Sequence, residues 1–181
     1  MDKKEIRKEM KKIRAALSPA MRAEAARACL GNLRILPEFM GARTLFCYAS
    51  VGDELPTEEI AAAHPRVAFP KVTGEGEMRF FLGGDLQAGY QGIPEPQGGE
   101  EVWPEEGDVM LLPGLAFGRD GSRLGYGKGF YDRYLAACPI RPQCWGLGYE
   151  EQLLEALPAA PHDQRLDRLI LPRKIVYFEE S

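Results

Sequence analysis

The chain has 181 residues and a formal net charge of −4, and 45% of its residues are hydrophobic and 28% charged. This length and composition suit one compact domain, residues 1–181, that buries a substantial core. No apolar run approaches the roughly 20 residues that a bilayer crossing needs, and the start of the chain lacks the apolar region of a signal peptide, so we expect a cytoplasmic protein without a membrane partner.

The N-terminal segment is predicted to form an amphipathic helix with one basic face. Residues 1–14 carry seven Lys or Arg against three Asp or Glu, although the whole chain is acidic. Apolar residues recur at helical spacing: Ile6, Met10, Ile13 and Leu17. Cations lie on a neighbouring face: Lys4, Arg7, Lys8 and Lys11. This face is either solvated or binds an anion; a nucleic acid is disfavoured, because one short basic helix without interleaved aromatic residues makes a poor footprint.

The following segments alternate between helix and strand signals. Ser18 and Pro19 predict a second helix from 20 to about 30, ended by Gly31 and Asn32, and a further helix is predicted after residue 57. Strands are predicted at 43–49, 66–70, 78–82, 109–112, 144–149, 168–171 and 175–178, with a short helix at 150–157. We therefore expect a three-layer α/β/α sandwich with a mainly parallel sheet and a ligand cleft at the carboxyl ends of its strands.

Two features of the first half of the chain bear on a site. Glu54 follows the strand 43–49, at the edge where an open α/β sheet binds ligands, although it is also compatible with a solvated turn acid. Residues 83–107 contain three prolines and seven glycines. This long connection is predicted to be mostly irregular, and such loops are commonly functional or mobile.

The most informative stretch runs from residue 108 to residue 135. An apolar strand ends at Pro113, and then four glycines between 121 and 129 alternate with Arg123, Tyr126 and Lys128 before helical spacing resumes at Phe130. A strand, a glycine loop with two cations and a helix N-terminus together predict a phosphate cradle. The spacing matches neither the Walker pattern nor the dinucleotide fingerprint, and the alternative is a turn that merely connects two elements.

Cysteine and histidine offer little other chemistry. The cysteines, Cys29, Cys47, Cys138 and Cys144, include no C-x-x-C pair, which favours reduced and packed thiols over zinc ligands or disulfides. The two histidines, His64 and His162, are too few for a His-rich metal site or a His-based triad to be easily built.

The stretch RLGYGKGFYDR at 123–133, preceded by PGLAFGRDG at 113–121, resembles the signature of the 5-formyltetrahydrofolate cyclo-ligase (methenyltetrahydrofolate synthetase) family. The resemblance extends to KKEIRKEMKKIRAALS at 3–18, GDELPTEEI at 52–60, GIPEP at 92–96 and D-x-x-x-D at 163–167, in the family's order. It thus covers essentially the whole chain and implies a Rossmann-like α/β/α fold.

The resemblance also implies roles at the matching positions. The nucleotide would contact the N-terminal helix and the glycine loop: Lys3, Lys4, Arg7, Arg123, Leu124, Gly125, Tyr126, Gly127, Lys128, Gly129, Phe130 and Tyr131. Folate would contact Glu54, Tyr126, Phe130 and Tyr131, and Tyr90 or Ile93 would lie along the folate cleft. Lys128 and Arg123 are expected to be catalytic. Asp132 and Asp163 are expected to hold Mg²⁺, a cation that prefers carboxylates and water, although Asp132 also suits the first turn of a helix.

The implied reaction is the ATP-dependent cyclisation of 5-formyltetrahydrofolate to 5,10-methenyltetrahydrofolate by a monomer, with ADP and phosphate released. It needs no protein nucleophile, because ATP activates the formyl oxygen and N10 then attacks the formyl carbon. Two other classes remain open on residues alone. A phosphosugar or CoA-ester enzyme would use a similar loop without ATP, and a nucleic-acid-binding module would depend on the basic helix.

Overall fold

The computed structural model describes residues 1–158 and 160–178. Five α-helices occur in that part of the chain: α1 (Lys3–Ala15), α2 (Pro19–Arg34), α3 (Pro37–Gly41), α4 (Glu58–Ala62) and α5 (Phe130–Ala137). The strands are β1 (Leu45–Cys47), β2 (Val67–Gly74), β3 (Glu77–Leu82), β4 (Asp85–Ala88), β5 (Pro94–Gln97), β6 (Glu100–Val102), β7 (Val109–Leu112), β8 (Ala116–Gly118), β9 (Arg123–Leu124), β10 (Gln143–Leu147), β11 (Leu153–Leu154), β12 (Arg168–Ile170) and β13 (Ile175–Tyr177).

The main sheet has eight strands in the order β13-β12-β10-β7-β1-β2-β3-β6. The central strands β12, β10, β7, β1 and β2 run parallel to one another. The edge strands β13, β3 and β6 pair antiparallel. The predicted mainly parallel sheet is therefore confirmed, and its parallel centre brings the carboxyl ends of β1, β2 and β7 to one edge.

Both faces of the central sheet are buried, because successive residues of each strand point to opposite sides. On one face, Leu45 and Leu111 join a cluster with residues of α2, α3 and α4. On the other face, Phe46 and Met110 pack with Tyr134 and other residues of α5 and β3. Helices therefore cover both faces of the sheet, as the three-layer prediction requires.

Helix α1 packs on a separate small sheet of β11, β8 and β9. The apolar stripe predicted on α1 supplies Ile6 and Met10, which contact Leu115 and Leu124 in a third cluster of buried residues. The side chain of Asp2 caps this helix by accepting from the backbone N–H of Glu5 at 2.8 Å. The docking places the basic face of α1 beside the glycine loop that follows β9.

The long connection 83–107 is more regular than we predicted. It forms the antiparallel pair β4-β5 and then strand β6, which adds to the edge of the main sheet beside β3. The carboxylate of Glu95 accepts from the backbone N–H of Val72 at 2.7 Å and of Tyr90 at 3.3 Å, and this attaches the β4-β5 pair to β2. These contacts are tertiary, so the local glycine and proline content did not indicate them.

Two helix predictions were wrong in their bounds or type. Helix α2 continues through Gly31 to Arg34, because the side-chain amide of Asn32 donates to the carbonyl of Leu171 at 2.7 Å and Leu33 is fully buried. These contacts outweigh the roughly 1 kcal/mol penalty of a helical glycine. The segment 150–157 is not a helix: it forms a 3₁₀ turn at Glu150–Gln152 and then strand β11, which pairs with β8.

All four cysteines are free thiols. Cys29, Cys47 and Cys144 are buried, and burial raises the pKa of both Cys47 and Cys144 to about 12. Within the described ranges, none of the helices has the combined length and apolar character that a bilayer crossing requires.

Candidate active site

A cavity of about 470 Å³ opens at the edge of the sheet where β1, β2 and β7 end. Its lining comes from residues within the segments 3–14, 48–54, 70–78, 90–95, 113–132 and 162–163. Ligands of open α/β sheets bind at this edge, which is where the sequence predicted the cleft. All the predicted site residues line this cavity except Lys4, which is exposed on α1 outside the lining.

The glycine loop forms one wall of the cavity. Gly127 has φ of +95° and Gly129 has φ of +70°, so the backbone on both sides of Lys128 adopts the left-handed region that favours glycine. The side chain of Lys128 is exposed and has no hydrogen bond or ion pair with the described residues. The backbone carbonyl of Lys128 accepts a hydrogen bond from Nη2 of Arg133 at 2.6 Å, and this bond attaches the loop to the start of α5. The Lys128 ammonium is therefore available to a ligand.

Arg7 joins helix α1 to this loop. Its Nε donates to the carbonyl of Gly125 at 2.9 Å, while its two Nη atoms have no hydrogen-bond partner in residues 1–158 and 160–178. A Cβ placed on Gly127 would lie 3.6 Å from Cζ of Arg7, so the guanidinium lies directly against the loop backbone. The sequence predicted that Arg7 and the loop act on one ligand, and the structure brings them together.

Arg123 is a buried cation at the floor of the cavity. Its Nη1 donates to the carbonyl of Pro113 at 2.7 Å, and its guanidinium lies 5.4 Å from the ring centroid of Tyr131. Nη2 lies 3.9 Å from Oδ1 of Asp132. Burial lowers the pKa of Arg123, and the nearby Asp132 carboxylate opposes that shift. A buried Arg with one partial ion pair presents strong positive potential to the cavity.

Asp132 and Asp163 both line the cavity, and both carboxylates are held by backbone amides. Oδ1 of Asp132 accepts from the N–H of Gln164 at 3.1 Å, and Oδ2 of Asp163 accepts from the N–H of Ala160 at 2.8 Å and from Lys3 at 3.4 Å. Burial raises the pKa of Asp163, but the amide and the ammonium outweigh burial and hold that pKa below its usual range. Among the described residues, no three His, Cys, Asp or Glu side chains form a metal cluster.

Glu54 belongs to the lining of the cavity and is buried, with 8% of the residue exposed. Its Oε1 accepts from the N–H of Val51 at 2.9 Å, and its Oε2 accepts from the hydroxyl of Tyr126 at 2.8 Å. Burial raises the pKa of Glu54, and the two hydrogen bonds together with the charge of Arg14 oppose that rise. A carboxylate with both oxygens facing a cavity can accept paired N–H donors from a planar ligand.

Several residues of the site were missed in the sequence. Lys11 and Arg14 line the cavity from α1, and Lys71 and Glu95 line it from β2 and β5. Lys11 was predicted only as part of the basic face of α1, although its spacing of four residues from Arg7 indicates the same ligand. No local signal marks Lys71, whereas Glu95 lies within the GIPEP stretch that supports the family resemblance but was not singled out there.

An α/β sheet with a cationic cleft at its carboxyl edge, entered by a glycine loop and a helix N-terminus, defines an enzyme of the class that binds a phosphorylated small molecule. The carboxylate of Glu54 belongs to the same cavity. The lining therefore combines cations with a carboxylate that accepts hydrogen bonds.

Comparisons with known proteins identify the family. The sequence matches the 5-formyltetrahydrofolate cyclo-ligase family over residues 1–172. It is 30% identical to the 5-formyltetrahydrofolate cyclo-ligase of Mycolicibacterium smegmatis over 95% of this chain and 94% of that protein. The solved structure of Aquifex aeolicus 5,10-methenyltetrahydrofolate synthetase superposes with a TM-score of 0.88 at 31% identity, covering 100% of this chain and 95% of that one. The solved structure of a 5,10-methenyltetrahydrofolate synthetase from Mycoplasma pneumoniae superposes with a TM-score of 0.76 at 27% identity, covering 95% of this chain and 99% of that one.

The chain belongs to the 5-formyltetrahydrofolate cyclo-ligase family. It is a ligase, and the family's reaction is the ATP-dependent conversion of 5-formyltetrahydrofolate to 5,10-methenyltetrahydrofolate.

Proposed function

We propose that this chain carries out the family's reaction in the cavity, with the ATP phosphates on the glycine loop and the pterin ring at Glu54. One observation carries the proposal: Lys128 and Arg7 line the same cavity as the buried Glu54 carboxylate, and within the described residues the Lys128 ammonium and the Nη atoms of Arg7 have no hydrogen-bond partner. A polyanion and a donor-rich planar ring would bind side by side in such a cavity.

The chemistry follows from the substrate. The formyl group on N5 is an amide, so its carbon is a poor electrophile and its oxygen is a poor leaving group. Attack of the formyl oxygen on the γ-phosphorus forms an O–P bond, releases ADP and leaves an iminium phosphate. N10 then attacks the formyl carbon, the C–O bond breaks with loss of phosphate, and N10 loses its proton. The product is the cyclic methenyl cation.

The protein positions the reactants and neutralises the charge of the transferring phosphoryl group, which is the usual division of labour in phosphoryl transfer. We assign the phosphates to Lys128, the loop amides and Arg7, and Lys3 belongs to the same cavity lining. Arg123 contributes positive potential from below. On the folate side, Glu54 accepts from the pterin edge, and aromatic residues of the loop and helix start provide flat surfaces: Tyr126, Phe130 and Tyr131.

Asp132 and Asp163 suit Mg²⁺, because they are two cavity-facing carboxylates and Mg²⁺ is usually held by one or two carboxylates together with phosphate oxygens and water. Oδ2 of Asp132 takes part in no hydrogen bond within the described ranges, so it remains available as a ligand. Bound there, the cation would supply charge neutralisation at the phosphates.

The direct test mixes the folded protein with 5-formyltetrahydrofolate and MgATP and follows the absorbance of the methenyl product. We expect product to form only when ATP is present. Absence of the chromophore with correctly folded protein would overturn the proposal, and so would an equal rate without ATP, since a phosphosugar or CoA-ester enzyme of similar fold has no requirement for ATP.

We further propose that the enzyme acts as a one-domain monomer in the cytoplasm and does not bind nucleic acid. One chain supplies the cations, the Glu54 carboxylate and both aspartates that the proposed reaction uses, and the four free thiols suit a reducing compartment. Lys3 and Arg7 turn into the cavity, where they contact Asp163 and Gly125, so these two cations serve the pocket rather than a nucleic-acid face. Light scattering tests whether the enzyme is a monomer, and an RNA titration at several salt concentrations tests whether it binds nucleic acid.

A further inference from the structure

Three side chains form a hydrogen-bonded link between helix α1, the glycine loop and the segment after β1. Nη1 of Arg14 donates to the hydroxyl oxygen of Tyr126 at 2.7 Å, and that hydroxyl donates to Oε2 of Glu54 at 2.8 Å. Arg14 is 6% exposed and Glu54 8% exposed, so both ends of the link lie away from bulk water. The nucleotide side and the folate side of the cavity are therefore connected through one hydroxyl group.

The direction of this link is fixed by the donors. A guanidinium has only donors, so the hydroxyl of Tyr126 must accept from Arg14 and its single proton must point to Glu54. Because a rotated hydroxyl would lose its bond to Glu54, no other acceptor can take this proton while the link is intact. The position of the Tyr126 ring thus determines one of the two hydrogen bonds that orient the Glu54 carboxylate.

The two ends of the link are anchored, whereas its centre depends on the loop. Nε and Nη2 of Arg14 donate to Oδ1 of Asp53 at 3.0 and 2.7 Å, and the N–H of Val51 donates to Oε1 of Glu54 at 2.9 Å. Tyr126 stands between two glycines of the loop, and 42% of the residue is exposed. The backbone that carries it is attached to α1 by the hydrogen bond from Nε of Arg7 to the carbonyl of Gly125, so a nucleotide bound at Arg7 acts on the same backbone.

The link leaves room for a ligand on Glu54. A carboxylate has about four acceptor positions, two on each oxygen. Val51 occupies one on Oε1 and Tyr126 one on Oε2, so each oxygen retains a free position. Two parallel N–H donors of a planar ring match that pair of positions, and the hydroxyl of Tyr126 need not leave when the ring binds.

We propose that the Tyr126 hydroxyl couples the two substrates: a nucleotide that orders the glycine loop also fixes Glu54 for the pterin, so ATP and folate bind with positive cooperativity. This inference rests on the proposed function, which assigns the loop to ATP and Glu54 to folate. Each ligand reduces the ordering that the other requires, and the coupling is equal in both directions. Tyr126 is thus a positioning residue that acts through Glu54.

The charges around Glu54 agree with this role. Burial and the neighbouring Asp53 raise the pKa of Glu54, while the Val51 amide, the Tyr126 hydroxyl and the Arg14 charge lower it. Loss of the hydroxyl therefore raises the pKa of Glu54 further and favours the protonated acid, which accepts fewer hydrogen bonds. The hydroxyl supports both the orientation and the charge of the carboxylate.

The test measures the affinity for 5-formyltetrahydrofolate with and without a non-hydrolysable ATP analogue. We expect the analogue to tighten folate binding by about 5- to 150-fold, the usual range of coupling between two sites. Tyr126→Phe should reduce that factor to about 1 and should move the acid limb of folate binding to higher pH. The matched control is Tyr149→Phe, which removes a hydroxyl that donates to the carbonyl of Asp53 at 3.0 Å and does not contact Glu54. It should retain the wild-type factor.

A second variant addresses the other end of the link. In Arg14→Lys, one ammonium replaces the fork that contacts both Asp53 and Tyr126, so the coupling factor should again fall.

Lys128→Ala separates this inference from the proposed function. If Lys128→Ala weakens nucleotide binding but Tyr126→Phe keeps the full coupling factor, only the inference about Tyr126 is overturned. If Lys128→Ala leaves both nucleotide affinity and turnover unchanged, the loop assignment is overturned and the inference with it. A wild-type factor of 1 also overturns the inference.

Discussion

Arg7 and Gly125 are joined by a 2.9 Å hydrogen bond from Nε to the backbone carbonyl, across 118 positions of sequence. This bond uses one donor of the guanidinium and leaves the Nη fork for a ligand. Helix α1 and the glycine loop are thereby attached to each other.

We expect Arg7→Ala to raise the KM for ATP by about 10- to 150-fold, because hydrogen bonds to charged groups contribute roughly 1.5–3 kcal/mol. The KM for folate should change less. Steady-state kinetics with each substrate varied in turn gives both values. Lys8→Ala, an exposed cation of the same helix outside the cavity lining, is the control and should behave as wild type. An equal effect of both substitutions would mean that only the net charge of the helix matters.

Lys128→Ala is expected to lower kcat by about 10²- to 10³-fold, by analogy with the loss of a single transition-state donor. The side chain is exposed and free of contacts with the described residues, so the melting temperature should stay close to that of the wild type. Circular dichroism and single-turnover kinetics check the two expectations. Lys174→Ala, an exposed lysine beside β13, serves as the matched control. Unchanged turnover in Lys128→Ala would mean that the loop lysine takes no part in the reaction.

Glu54→Gln should separate stability from function. Burial raises the pKa of Glu54, so the folded protein holds the proton more tightly than the unfolded chain does. Glu54 therefore favours folding most at pH below its unfolded pKa, and this contribution is lost as the pH rises through the folded pKa. At neutral pH the buried charge lowers stability, and the glutamine variant should melt at an equal or higher temperature.

The same variant should bind folate about 10- to 150-fold more weakly, because the charged acceptor is lost. In the wild type, folate affinity should fall as the pH decreases through the raised pKa of Glu54, and this acid limb should be absent from Glu54→Gln. Thermal melts measure the stability of the variant, and binding titrations across pH measure its folate affinity. A variant that is strongly destabilised yet binds folate normally would contradict the assignment of Glu54.

Asp132→Asn is expected to raise the Mg²⁺ concentration for half-maximal rate by about 10- to 100-fold, the range found when groups that support a metal site are removed. Chelation with EDTA should abolish turnover of the wild type. The rate is measured against free Mg²⁺ at saturating ATP. Asp85→Asn, on the exposed strand β4, is the control. An unaltered Mg²⁺ dependence in Asp132→Asn would remove Asp132 from the metal site.

The central sheet was predictable because its strands are buried on both faces and therefore read as continuous apolar runs. The strand 109–112 was placed at the bounds found in the structure. The wrong predictions concern segments whose secondary structure is determined by tertiary contacts. The segment 150–157 has helical composition, yet the buried side chain of Gln152 donates to the carbonyls of Gly114 and Leu115 and holds it as a turn before β11.

The candidate site was predictable where the chain itself carries the pattern, as in the glycine loop with Arg123 and Lys128. Arg14 and Glu95 lie within stretches that support the family resemblance but were not singled out, because their roles arise from partners distant in sequence. Arg14 bonds to Asp53 and Tyr126, and Glu95 bonds to Val72. Neither set of partners produces a periodicity or spacing that a single sequence displays.

The walls of the cavity come from nearly the full length of the chain, and Lys3 meets Asp163 across 160 positions of sequence. A ligand that contacts α1, the glycine loop and Asp163 together therefore acts as a non-covalent cross-link between distant parts of the polypeptide. Because unfolding releases the ligand, binding adds about 2.7 kcal/mol to the free energy of unfolding when the ligand is present at 100 times its Kd. We therefore expect bound nucleotide and folate to protect the enzyme against unfolding and proteolysis.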